Sequence, residues 1–174
     1  MVKKIPVVGP ERPATIIKHR GFFNLDKVLK TITDWYKNED FDEEFNITDY
    51  KYKIPSPSGA EYEIRISGKK KVTGYVMYEI RVILWVFDLR EVELIKDGEK
   101  IKTNEGRIIV EIYPELHLDW QNRFGGNKFL QRLQEFYHDY IIKYKIKDYW
   151  EDMCLIKAGQ LIKLVQETLS QEVV

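Results

Sequence analysis

The residues best placed to do chemistry are Glu115, His117 and Asp119, set at alternate positions. On a strand, alternate side chains share a face, so an imidazole and two carboxylates would stand side by side. That donor set suits iron, manganese or zinc. His138 would add a second imidazole if the helix that carries it folds back over the strand. The competing reading is an edge strand that shows these polar groups to water and keeps Leu116, Leu118 and Trp120 inside.

Other constellations carry less. Glu61 and Glu63, with Glu79 and Arg81 opposite, could do acid–base work, but cross-strand salt pairs explain them. Lys69, Lys70 and Lys71 with Arg65 could touch phosphate or form a solvated turn. The run Glu39, Asp40, Asp42, Glu43 and Glu44 could draw a hard cation, yet it lacks the central glycine of a calcium loop and reads as a solvated loop. Cys154 has only Lys157 nearby to activate it and reads as packing. No pattern assigns a cofactor or a nucleophile, so the chain points to binding rather than catalysis.

These side chains hang on a sheet whose longest stretch is residues 72–89. Its first half alternates, and from Val82 to Phe87 both faces are apolar. A strand apolar on both sides must be covered on both sides. Eighteen straight residues would span roughly 60 Å, so the strand must curve, with Gly74 a bend or bulge. Around it the chain reads as a meander over 46–120. Turns fall at 55–59, 68–71 and 104–106, and Asp97-Gly98 forms a hairpin turn. Thr15 to Lys18 is a short strand.

Helices lie at the ends. Asn24 caps a first helix that ends near Asn38, with Phe23 and Val28 as a hydrophobic staple. A second helix, Asn127 to Lys147, carries Phe129, Leu130, Leu133, Phe136, Tyr137, Tyr140, Ile141 and Tyr144 on one face. Asp148 with Glu151 forms a capping box that starts a third. Helix three has apolar residues on more than one face, so it is covered on two sides or packs on another subunit.

Composition narrows the classes. The 174 residues are 44% hydrophobic, with 28 basic and 28 acidic side chains. That is material for one domain with a real core. Residues 1–13 form a proline-rich extended arm and 14–174 the domain. A net charge of zero provides no global field toward nucleic acid, and no nucleic-acid partner is expected. The single cysteine fits a reducing compartment. With no apolar run of membrane-spanning length and no leader pattern, the expected location is cytoplasmic. The abundance of Lys, Glu, Ile and Tyr matches heat-adapted proteins and equally an AT-rich genome.

The order of helix, curved meander of about five or six strands, and two C-terminal helices is an α+β fold. It is similar to the helix-grip architecture of the START and polyketide-cyclase-like families, apart from the extra C-terminal helix. Three functions follow. An apolar small molecule or lipid-like ligand could sit between sheet and C-terminal helix, lined by Met77, Tyr78, Trp85, Phe87, Phe136 and Tyr140. A protein partner or a second copy could cover an apolar surface of Ile83, Trp85, Phe87 and helix three. A metal-dependent enzyme would use Glu115, His117 and Asp119.

Overall fold

The computed structural model describes residues 3–9, 12–47, 51–56, 59–96, 99–125 and 127–170, with side chains described outside 42–58 and 95–99. Seven antiparallel strands form one curved sheet. They are β1 (Lys3–Pro6), β2 (Thr15–Phe23), β3 (Asp42–Ile47), β4 (Lys51–Ser56), β5 (Gly59–Lys71), β6 (Val76–Lys96) and β7 (Glu99–Leu118). Strands β1 and β2 pair with successive parts of β7, and β3 and β4 with successive parts of β5, so the order across is β1/β2-β7-β6-β5-β3/β4. Helix α1 (Leu25–Asn38) follows β2. After β7 come α2 (Lys128–Phe136), a π-helical segment (Tyr137–Ile142), one α-turn, α3 (Lys143–Lys145), a second π segment (Ile146–Glu151) and α4 (Asp152–Ser170). Together they form the expected α+β arrangement with helix-grip character.

The long strands are continuous where turns were expected. β6 and β7 pair from Val76↔Leu118 to Lys96↔Glu99; the Asp97-Gly98 turn itself lies outside the described residues. Residues 104–106 are not a turn. They pair with β2 on one side, and Gly106 faces a bulge in β6 between Phe87 and Arg90 on the other. A Cβ on Gly106 would stand 2.9 Å from the Phe87 carbonyl oxygen, so the bulge needs glycine beside it. Arg107 ties the bulge down with two hydrogen bonds to Asp88 Oδ2, at 3.0 and 2.6 Å. Residues 68–71 also remain in strand, paired with β6 from Gly68↔Ile80 to Lys71↔Met77. The reversal comes at 72–75 instead. Asp42, Glu43 and Glu44 of the acidic run enter the sheet in β3, while Glu39 caps the C-terminal end of α1, and Lys3–Pro6, within the proline-rich arm, pairs with Leu118 to Glu115.

Pleating sorts the sheet into two faces. Val76, Tyr78, Ile80, Val82, Leu84 and Val86 of β6 and Ile108, Val110, Ile112, Leu116 and Leu118 of β7 are buried in one cluster with helix residues. Asn24 caps α1, its Oδ1 accepting the Lys27 amide at 2.9 Å, and Phe23, Val28, Ile32, Trp35 and Tyr36 are buried. The Tyr36 ring lies on Gly68, where an added Cβ would meet it at 2.5 Å. Its hydroxyl donates to the Ile80 carbonyl at 2.7 Å, and burial pushes its pKa well above the ordinary phenol value, Glu79 adding to the rise. Helix α4 buries one stripe, Cys154, Ala158, Leu161, Val165, Thr168 and Leu169, and leaves Leu155, Ile156 and Leu164 exposed. The Cys154 thiol is pushed up to about 12 by burial, so it stays an unreactive packing group.

Two expectations about the helices are corrected. No new helix starts at an Asp148 cap, because helical turns continue through that point. Helix α4 also does not cover Ile83, Trp85 and Phe87. The helices share the cluster of Val82, Leu84 and Val86, and strand alternation puts Ile83, Trp85 and Phe87 on the other face. There they are half-buried under neighbours from β7. Trp85 Nε1 donates to Glu111 Oε2 at 3.4 Å, and the Arg107 guanidinium lies 5.5 Å from the Phe87 ring centre. Long polar side chains supply the second cover through their stems and planes.

Candidate functional site

Three arrangements are built on this frame. The first stands on the helix-free face, where Glu79 of β6 lies directly across from Glu115 of β7, with His117 two residues along. One donor atom from each lies within 4.8 Å of the others. His117 Nε2 is 2.5 Å from Glu79 Oε2 and 4.0 Å from Glu115 Oε2. Glu79 and His117 are buried. Arg81 binds the other oxygen of Glu115, Oε1, and Lys4 Nζ of β1 is 3.8 Å from Glu79 Oε2. Burial pushes the Glu79 carboxyl up, but the His117 ring, Lys4 and Lys69 outweigh it and hold the group below its ordinary range.

Asp119 does not join this cluster. β7 ends at Leu118, and Asp119 has φ +54°, a left-handed conformation that takes it out of the strand alternation. It is fully buried and organises the turn that follows. Its carboxylate accepts the amides of Arg123 at 2.7 Å and Phe124 at 3.2 Å and the Gln134 side chain at 3.4 Å. Glu79 stands where the sequence reading put Asp119. The period-two pattern marks Glu79 only as one carboxylate on a wet face; pairing register is what brings it to His117. Arg81, read as a salt-pair partner, holds Glu115, and Arg65 pairs with Glu63 at 2.5 Å.

The second arrangement fastens the π-helical segment after α2 to the 72–75 reversal. Tyr75 hydrogen-bonds His138 Nε2, and its ring packs edge-on against Phe124, Tyr137 and His138. Burial pushes the Tyr75 hydroxyl up to about 12. Burial and the nearby Lys3 charge push His138 below the ordinary 6.5, against the opposing pull of Asp139 and Asp119. The folded chain therefore binds fewer protons at His138 than the unfolded chain below that value. Stability falls as pH drops below about 6.5, until the folded group is itself protonated. A His138→Gln variant should show a smaller loss of urea midpoint between neutral pH and about pH 5 than the native chain. Equal losses in both would remove His138 as the cause.

The third arrangement is an inverted helix. Asn127 caps α2, accepting the Leu130 amide at 2.8 Å. The face laid on the domain carries Gln134 and His138, which are buried. The apolar stripe points outward. Phe129 is 72% exposed, Phe136 53%, Tyr140 76% and Tyr144 78%, with Leu133 and Ile141 also exposed. Phe136 and Tyr140 stack at 5.1 Å, so the stripe stays continuous into the π-helical turns.

The six side chains expected to line a ligand cavity are thus spread over three surfaces. Tyr78 is buried on the helix side. Met77, Trp85 and Phe87 are half-buried on the opposite face, and Phe136 and Tyr140 are exposed on the C-terminal helices. Phe87 lies in an open surface cleft of about 460 Å³ with Lys18, Arg20, Arg107 and Ile109.

No protein-family model and no curated protein matches the chain. The fold, a sheet flanked by helices in a helix-grip-like arrangement, is an architecture often used to bind apolar ligands or proteins. Among the described residues no helix is long and apolar enough to cross a membrane.

Proposed function

We propose that this chain is a self-associating interaction module whose contact surface is the outward stripe of α2 and the turns after it. One observation carries this reading: the helix rests on its own domain through Gln134 and His138 and offers Phe129, Leu133, Phe136, Tyr140 and Tyr144 to water. An exposed apolar face of this kind marks an interaction site.

Charge selects a second copy as the occupant. Arg132 and Asp139 are exposed and lie seven residues apart, one on α2 and one on the π-helical segment that continues it. In an antiparallel pair about a two-fold axis, Arg132 of each copy meets Asp139 of the other, while Phe129 faces Tyr140 and Leu133 faces Phe136. Flanking charges of this kind set helix orientation, and a two-fold contact uses the same patch twice.

Magnitudes set the strength. Burying one large apolar side chain contributes about 1.5–3 kcal/mol; the two-fold contact covers ten that are already partly buried, so together they give on the order of 10 kcal/mol, against about 4–15 kcal/mol lost on association. The dimer is therefore reversible and dependent on concentration. Sedimentation velocity from roughly 1 to 500 µM, the range such a balance implies, should show the monomer mass rising toward twice its value. A monomer across the whole range would overturn the reading.

A further inference from the structure

We propose that Glu79, Glu115 and His117 bind a divalent transition-metal ion of the zinc class, independently of the α2 contact. Three donors alone would not establish this, since acidic clusters are common. The deciding feature is that Glu79 Oε2 and His117 Nε2 are shut away from water and face each other at 2.5 Å without a well-aligned hydrogen bond, with Lys4 3.8 Å from the same carboxylate oxygen. A buried donor and acceptor so poorly aligned are costly, and an ion between them would satisfy both.

The donor set fits. A neutral imidazole and two carboxylates are ligands of zinc and of neighbouring first-row ions. Metal–donor bonds of about 2.0–2.1 Å in a tetrahedron set donors roughly 3.3 Å apart. His117 Nε2 and Glu79 Oε2 would open by under about 1 Å, and Glu115 Oε2, at 4.0 Å from the imidazole nitrogen, would close by a similar amount. Side-chain rotation supplies such shifts while paired strands hold the backbone. Arg81, bound to Glu115 Oε1, leaves Oε2 as the donor and orients it, as outer partners of metal ligands do.

Charge sets a limit. Arg81 and Lys4 already balance the two carboxylates, so an added dication repels them. The Lys4 side chain is 63% exposed and can move its ammonium into water. Lys4 is therefore a competitor for the ion, and removing it should tighten binding.

Calorimetric titration of the metal-free native protein with Zn²⁺ tests this, with visible absorption of the Co²⁺ form as a second readout. One ion per chain is expected, with a tetrahedral Co²⁺ spectrum. His117→Gln and Glu79→Gln should each weaken binding by at least about tenfold, Lys4→Gln should strengthen it severalfold, and His19→Gln should leave it unchanged. Near-UV circular dichroism identifies variants that keep the fold, and Glu115→Gln replaces any that does not. Absence of one-to-one binding, equal binding by folded His117→Gln protein, or loss of binding in His19→Gln would overturn the proposal.

Discussion

A Phe136→Glu variant is expected to stay monomeric at every concentration at which the native chain pairs, with its helical content unchanged. Phe136 sits at the middle of the stripe and is 53% exposed, so it contributes little to the fold of one chain. Surface changes of this kind alter stability by about 0.5 kcal/mol or less, and glutamate is a good helix former. In the pair the same position faces Leu133 of the second copy, and a carboxylate there must lose its water without a partner. That costs several kcal/mol, more than a contact so near balance can absorb. Charge reversal separates self-pairing from binding to another protein. Arg132→Glu alone should weaken the dimer, and Arg132→Glu with Asp139→Arg should restore it. Sedimentation of the three variants measures this, and a double variant no stronger than Arg132→Glu would exclude the antiparallel pairing.

Leu161→Ala should produce the largest loss of folding stability. Leu161 is fully buried at the middle of α4, in the cluster that also contains Leu84 and Ile112. Truncating such a leucine costs about 2–5 kcal/mol through lost burial and the cavity left behind. In a chain of this size that lowers the melting temperature by roughly 5–15 °C. Leu164, one turn on and exposed, should lose less than about 1 kcal/mol when changed to alanine. Equal effects at both positions, read by thermal unfolding, would mean that α4 rests on a different face.

Much of the frame is legible in residue order. Asn24 and Asn127 cap helices because their side chains accept first-turn amides. The long alternating stretches of β6 and β7 become the centre of the sheet. What fails is legibility of purpose at glycine. Gly68 and Gly106 read as turns because glycine favours them, yet here each gives room to a neighbour, the Tyr36 ring and the Phe87 carbonyl. Direction is also hidden. Helical spacing shows that Phe129, Leu133, Phe136 and Tyr140 share a face, but not what covers it. At the polar cluster, Glu115 and His117 were legible as one-face neighbours. Asp119 was misplaced by a single left-handed residue, and Glu79 was missed because strand register is a tertiary property.

The pairing of β1 with the end of β7 has a consequence for access. Lys3–Pro6 is a four-residue edge strand set against Leu118 to Glu115. Short edge segments are held by few buried contacts and open locally at far lower cost than a sheet centre. Peeling β1 carries Lys4 away from Glu79 and uncovers the edge beside His117, while the β6–β7 pairing beneath stays closed. Amide exchange within Lys3–Pro6 should therefore be faster than in the β6–β7 centre, and loss of the Lys4–Glu79 contact requires no opening of the domain.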